Sequence, residues 1–389
     1  MSPRYPAFDS LRAVMMLLGL ALHAALSYIT RPVPDWVIRD QSRHLFFDLL
    51  VAWTHAFRMP VFFVVAGFFA HLLLECGGPA AFARNRARRI GLVLLLSWFP
   101  LFASLFVLVE TARHPNDPAA FQQAVAALAT PQFWGKLQLA HLWFLYYLLL
   151  CCGAVLALYP FRERLAGGGT WLAGRTAAAL RHPWRAAPLL AVPLAALLAT
   201  MQMGFLATPH YIWPIHGGVL AAYLLFFGFG WFLYACRDQL WQLRAPANRL
   251  LLAGTGVVLA SLPFLQFHLP RVTAIGIAWG TWLLVFGMLG FFTRYANRES
   301  TWMRYLSDAS YFVYLAHLPV VFAGTIALQP LGWPAAAKFM VVVTVSFGLL
   351  LGAYELLVRH TWIGTLLSPR ARATNRVPYA AAVSEPYAR

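Results

Sequence analysis

Acidic side chains are scarce in this sequence. Asp and Glu number 13 in 389 residues, and charged residues of both signs make up 11%. A soluble domain carries about 25% charged residues, so a chain surrounded by water on all sides is excluded. Lysine is nearly missing: Lys136 and Lys338 are the only two, which leaves arginine as 28 of the 30 basic residues. Beside so much alanine, this preference reads as base composition and carries no functional meaning in general. Cysteine is confined to Cys76, Cys151, Cys152 and Cys236, inside or at the ends of apolar runs and never in a CxxC spacing. A disulfide framework and a cysteine metal site are thereby excluded. A hydrophilic stretch long enough for a separate soluble domain is missing too, as is any internal repeat.

What the sequence holds instead is apolar length. Hydrophobic residues make up 61% and aromatic ones 15%. Runs long enough to cross a bilayer fall near 11–29, 54–74, 90–109, 140–160, 187–207, 217–236, 250–268, 273–293, 309–328 and 336–358. These predict an all-α polytopic membrane protein of about ten transmembrane helices. The first run is of spanning length and a histidine interrupts it, so it is read as a retained helix and not as a signal peptide. The integral membrane domain is expected over 1–368, with a disordered cytoplasmic tail over 369–389. A short helix opened by Asp117-Pro118 is expected in the segment 110–139, and a Gly- and Arg-rich loop over 161–187.

The net charge of +17 would suggest nucleic acid in a soluble protein. Here the enrichment of basic residues in cytoplasmic loops explains it, and no nucleic-acid partner is expected. With the N-terminus inside, 22 basic residues fall on the cytoplasmic side and seven on the other, Arg58 standing apart. That bias puts both termini in the cytoplasm.

Ionisable residues within spans are costly, and each invites a functional reading. Arg12 and His23 are eleven residues apart. Eleven steps of about 100° return to one helix face and rise about 16 Å, roughly half of a 30 Å hydrocarbon core. Arg12 is therefore expected near the cytoplasmic surface and His23 near the midplane, on a face turned away from lipid. Ser310, Tyr314 and His317 share a face of the ninth run, with His317 at the depth of His23. Glu355 falls at the level of Arg12, either paired with it across helices or as a solvated helix end. On the outer side stand His55 and Arg58, with Pro60 at a kink, and His141 with Trp143 at the head of the fourth run. Four arginines occupy positions 84–89. Arg86 and Arg89, with Arg88 beside them, either obey the topological bias alone or form a guanidinium fork for phosphates.

Together these residues resemble the transmembrane acyltransferase family (acyltransferase-3). The likeness lies in Arg12 and His23 after "DSLR", Arg86 and Arg89 as Arg-x-x-Arg, "FRMPVFFVVAGFF", "HLWFL", "ASYFVYLAH" and the late Glu355. It runs nearly end to end, and the order and spacing of the motifs carry it. The chain looks most like the glucan biosynthesis branch, which succinylates osmoregulated periplasmic glucans. One departure is Ala66-Gly67, where the family usually has Ser-Gly. The resemblance implies ten core helices in the bacterial inner membrane. It implies transfer of an acyl group, succinyl in this branch, from cytoplasmic acyl-coenzyme A to a periplasmic glycan, with no tightly bound cofactor and no metal.

Under that resemblance His23 serves as general base or acyl relay, Arg12 and Glu355 organise the site, and Arg86, Arg88 and Arg89 hold the donor's phosphates. His55, Arg58, His141, Trp143, Tyr314 and His317 are the candidates for meeting substrate. The rival readings are modification of another envelope polysaccharide or lipid, a transporter or flippase, a membrane glycosyltransferase, and a sensor. Repeated halves would favour the transporter and an outer acidic cluster the glycosyltransferase; neither is visible in the sequence.

Overall fold

The computed structural model describes residues 5–367, apart from 34, 35, 115, 136, 137, 202 and 203. The segment read as a cytoplasmic tail, 369–389, lies outside the described residues. Those described form helices and connecting turns without a strand. Eight helical stretches among them are long and apolar enough to cross a membrane.

All ten expected runs fall on helices, though not one to one. Helix α1 spans Pro6–Ala25, and α2 spans Leu45–Arg86. A π-turn over Ala87–Gly91 joins α2 to α3, Leu92–Arg113. The runs at 54–74 and 90–109 thus belong to one stretch, Leu45–Arg113. It bends at Gly78, whose φ of 69° lies in the left-handed region that glycine enters without steric cost. Pro79 follows, already suited to the first turn of a new helical segment. The short helix expected after Asp117 is α4, Ala120–Ala127, with the Ala119 amide donating to Asp117 Oδ1 at 2.8 Å.

The segment 161–187 departs from expectation: it is mostly helix, α6, Arg162–Arg181, following α5, Trp143–Leu158. Alanine, leucine and arginine are good helix formers, and its last turns bury Thr176, Ala177, Ala179 and Leu180. Tertiary burial outweighs the three consecutive glycines. The run at 187–207 contracts to α7, Pro183–Leu198, which is 16 residues long and short of the about 20 needed for a full span. Beyond it follow α8 (Gly217–Ala235), α9 (Ala247–Ser261), α10 (Pro270–Tyr295), α11 (Thr301–Leu328) and α12 (Ala335–Ala353).

Without a hydrophobic driving force between helices in lipid, close approach must come from small residues. Helices α2 and α8 cross where Gly67 faces the Phe227 carbonyl and Gly230 faces the Val64 carbonyl, and a Cβ on either would collide with backbone. Helix α1 packs on α2, α10, α11 and α12. The His23 end of this helix meets His317 of α11, while the Arg12 side chain stays partly exposed. In the connection from α1 to α2, residues 29–44, the Asp40 amide donates to the Ser27 carbonyl at 2.9 Å.

Candidate functional site

Two polar clusters lie along α1 and α11. The first gathers around His23, which sits in the last turn of α1. The helix begins at Pro6, earlier than the expected run, so in helix terms His23 stands near one end and not at the centre. Its ring lies 5.1 Å from that of His317 on α11, and His317 is in turn 5.0 Å from His141. The expectation that His23 and His317 share a level is met.

Backbone carbonyls fix two of these rings. His317 Nδ1 donates to the Tyr314 carbonyl at 2.7 Å, and His141 Nε2 donates to the Leu315 carbonyl at 3.0 Å. In the neutral ring the other nitrogen then carries the lone pair. Those nitrogens, His317 Nε2 and His141 Nδ1, are buried and without a hydrogen-bond partner, as is His23 Nδ1. The Tyr314 hydroxyl donates to the His141 carbonyl at 2.8 Å and ties α11 to the start of α5.

Arg58 enters from α2. It is 8% exposed, and its Nε has no partner. Gly19 on α1 makes room for it: a Cβ there would fall 2.6 Å from Arg58 Nη1. Its charge lies within electrostatic reach of His23, His141, His317 and Tyr314. Among the described residues no carboxylate pairs with it. A buried cation with that surrounding is costly unless something anionic or strongly dipolar meets it. Trp143 stacks on Tyr223 at 5.6 Å and walls this cluster. His55 is turned aside, with Nε2 donating to the Leu206 carbonyl at 2.9 Å.

The second cluster surrounds Tyr311, which lies within electrostatic reach of Arg89, Arg12 and Arg86. Its hydroxyl donates to the Arg89 carbonyl at 2.8 Å. Arg86 lies over Phe82 at 5.4 Å, with Nε buried and unpartnered. Arg12 makes an ion pair with Asp9 at 3.7 Å. Arg88 is exposed; with Arg84, Asn85 and Arg89 it lines an open pocket of about 390 Å³, closed on the other side by Thr365 and Leu366. Tyr311 stacks on Tyr314 at 6.3 Å with an 18° interplanar angle. One aromatic step thus leads from the arginine cluster towards the histidines.

Of the two alternatives for Glu355, pairing with Arg12 does not occur, and a partly exposed helix end does. The Glu355 carboxylate accepts from Arg359 Nη1 at 2.8 and 2.9 Å. An arginine one turn further along the same helix is a nearer partner than one on a neighbouring helix, and both side chains remain partly exposed. Glu355 therefore joins neither cluster.

Three features escaped the sequence reading. Trp36, from the 29–44 connection, stacks on His23 at 5.7 Å and 19°. Tyr311 bridges the arginines to Tyr314. Asp40 and Lys338 form a buried ion pair at 2.8 Å. A tryptophan in an outer loop is ordinarily an interfacial residue, and an isolated lysine ordinarily a topological charge; only proximity reveals either role. Among the described residues no group of three or more His, Cys, Asp or Glu is arranged to hold a metal ion.

Comparison with known proteins gives this geometry a setting. The chain is 24% identical over 344 residues to the glucans biosynthesis protein C of Salmonella paratyphi B, Salmonella dublin and Salmonella enteritidis, covering 82% of this chain and 83% of each relative. No solved structure matches it. The model of the acyltransferase domain (acyltransferase-3) matches residues 5–355, and the chain, with eight apolar helices of spanning length among its described residues, belongs to this family of membrane acyltransferases.

Proposed function

We propose that this membrane acyltransferase moves an acyl group, succinyl, from cytoplasmic acyl-coenzyme A to a hydroxyl of periplasmic glucan, in the bacterial inner membrane and with both termini inside. The observation that carries the reading is the pair of clusters on one helix face, joined through Tyr311 and Tyr314. A rise of about 16 Å over eleven residues gives an extended thiol arm room to run from phosphates at the arginines to a thioester at the histidines. Arg86, Arg89 and Arg12 take the phosphates, because a guanidinium offers paired donors to phosphate oxygens. The pocket beside Arg84 and Arg88 supplies the open mouth.

At the other end a sugar hydroxyl is a poor nucleophile until its proton leaves. A histidine of the cluster, His23 in the first place, accepts that proton while the oxygen attacks the thioester carbon. Negative charge gathers on the carbonyl oxygen, where a buried guanidinium such as Arg58 is most effective. The intermediate collapses by breaking the C–S bond, the coenzyme leaves as thiolate, and the imidazolium returns the proton to it. In a relay version, a histidine nitrogen takes the acyl group first and the sugar takes it second. Trp143 and His141 line the acceptor side, and Glu355 shapes the inner helix end.

The test is purified protein in liposomes with succinyl-coenzyme A and glucan, read by mass spectrometry of the glucan. Succinylated glucan is the expected product. Acylation of a different envelope polysaccharide or a lipid would keep the chemistry and replace the acceptor. Absence of any acyl-coenzyme A consumption would sink the reading and favour a transporter.

A further inference from the structure

We propose that Trp36 is a positioning residue for acyl transfer, holding the His23 ring in place, and that the buried Asp40–Lys338 pair anchors the backbone that carries it. The inference rests on His23 being a working group, as argued above.

The contacts of Trp36 leave its indole little freedom. One face lies on His23 at 5.7 Å and 19°, while Phe322 meets the ring edge-on at 4.8 Å. The indole N–H donates to Ser27 Oγ at 3.1 Å. Ser27 lies one turn beyond His23 on the same chain. Its carbonyl also accepts from the Asp40 amide at 2.9 Å. Trp36 is thus fixed on both sides to the stretch of backbone that carries His23.

The other half of the arrangement is the anchor. Lys338 Nζ donates to Asp40 Oδ1 at 3.0 Å, to Oδ2 at 2.8 Å and to the Gln329 carbonyl at 3.2 Å. Gln329 Nε2 donates back to the Arg39 carbonyl at 3.0 Å, and the Ser42 amide donates to Asp40 Oδ1 at 2.8 Å. The lysine has all three of its donors used, and the carboxylate is buried completely. The Ala335 amide donates to Ser42 Oγ at 2.8 Å. The connection is therefore tied to the end of α11 and to the start of α12, and α11 is the helix that carries His317. Trp36 and His317 both neighbour His23, and both are referred to one framework.

This explains an otherwise puzzling contrast. His317 and His141 have rings oriented by backbone carbonyls, whereas His23 Nδ1 is buried with no hydrogen-bond partner. A ring without such a bond at that nitrogen needs another restraint to hold its angle, and a stacked indole supplies one while leaving the nitrogen available.

The experiment compares Trp36→Ala, Trp36→Phe and His23→Ala in purified, lipid-reconstituted protein, with steady-state transfer from succinyl-coenzyme A. Misplacement of a catalytic group by about 1 Å can cost ~100-fold. Trp36→Ala is expected to lower kcat by ~10–100-fold while KM for the acyl donor stays within twofold. Trp36→Phe keeps a stacking ring without the N–H donor and is expected to recover most of kcat. A second arm uses Asp40→Asn, which keeps the shape of the anchor but not its charge, and is expected to lower kcat in the same direction. An unchanged kcat in Trp36→Ala, or an equal loss in Trp36→Ala and Trp36→Phe, overturns the inference provided that His23→Ala is inactive. Full activity in His23→Ala overturns the reading of His23 itself, whatever Trp36 does.

Discussion

The two buried polar groupings at the His23 end of the bundle are opposites. Lys338 and Asp40 are enclosed, yet each donor of the ammonium has an acceptor and both carboxylate oxygens are engaged. Arg58, His141 and His317 are buried as well and His23 is half-buried, yet the buried atoms Arg58 Nε, His23 Nδ1, His141 Nδ1 and His317 Nε2 have no hydrogen-bond partner. Buried polar groups in folded proteins are overwhelmingly satisfied, and an ion in the membrane region is expensive. A grouping that satisfies itself has finished its task in holding the fold. One that leaves four polar atoms open is the grouping on which the proposed reaction draws.

That contrast is easiest to break at His23. His23→Ala removes a polar group that no hydrogen bond to Nδ1 holds, so thermal unfolding in lipid should shift little, whereas transfer should fall by about 10²–10⁴-fold. A variant within about threefold of wild type, below the low end of that range, would leave His23 a packing residue and make His317 the next candidate.

Lys338→Ala is the converse. It strands the buried Asp40 carboxylate, and removal of one partner of a buried pair costs about 3–5 kcal/mol. Thermal unfolding should show that loss, and Asp40→Leu with Lys338→Met should recover most of it because no charge is then left alone. A single variant as stable as wild type would remove the pair from the structural side of the comparison.

Arg86 sharpens the distinction, for its Nε too is buried and without a partner. Replacing Arg86 and Arg89 together by Ala should weaken coenzyme A binding by about 1–3 kcal/mol per charged hydrogen bond lost, with the quantity of folded protein unchanged. Titration calorimetry reads this directly, and unaltered affinity would return the arginines to their topological role. The smallest effect is expected at Glu355, which is satisfied by Arg359 and partly exposed. Such i,i+4 pairs contribute about 0.3–0.5 kcal/mol, so Glu355→Gln should barely alter unfolding. A large activity loss in that variant would show that Glu355 meets substrate despite its pairing.

The sequence made much of this legible. The eleven-residue spacing of Arg12 and His23 turns them to one face, and α1 packs on four neighbouring helices. The set of Ser310, Tyr314 and His317 follows from one helical period, and the structure adds His141 and Arg58 to it. For Glu355 the sequence left pairing with Arg12 and a solvated helix end open, because its level along the helix is local information while its partner is not; the structure has the partly exposed end, paired with Arg359. The 161–187 segment was misread because three glycines outweigh their neighbours in a composition argument but face open space in the fold. His55 and His141, each at the start of an apolar run, look alike in sequence, yet one is turned to the Leu206 carbonyl and the other to the cluster.

Membrane residence, helical class and the shared helix face of Arg12 and His23 were determined by the sequence alone. Hydropathy and helical period are properties of neighbouring residues, and the lack of water in lipid forces each apolar run to satisfy its own backbone. Which polar groups meet was decided only by the tertiary structure. Lys338 and Asp40 are 298 positions apart, and His141 lies 174 positions from the Leu315 carbonyl that orients it. Such meetings depend on how each helix is rotated and offset against the next. That in turn depends on contacts such as Gly67 on the Phe227 carbonyl, which no local period encodes.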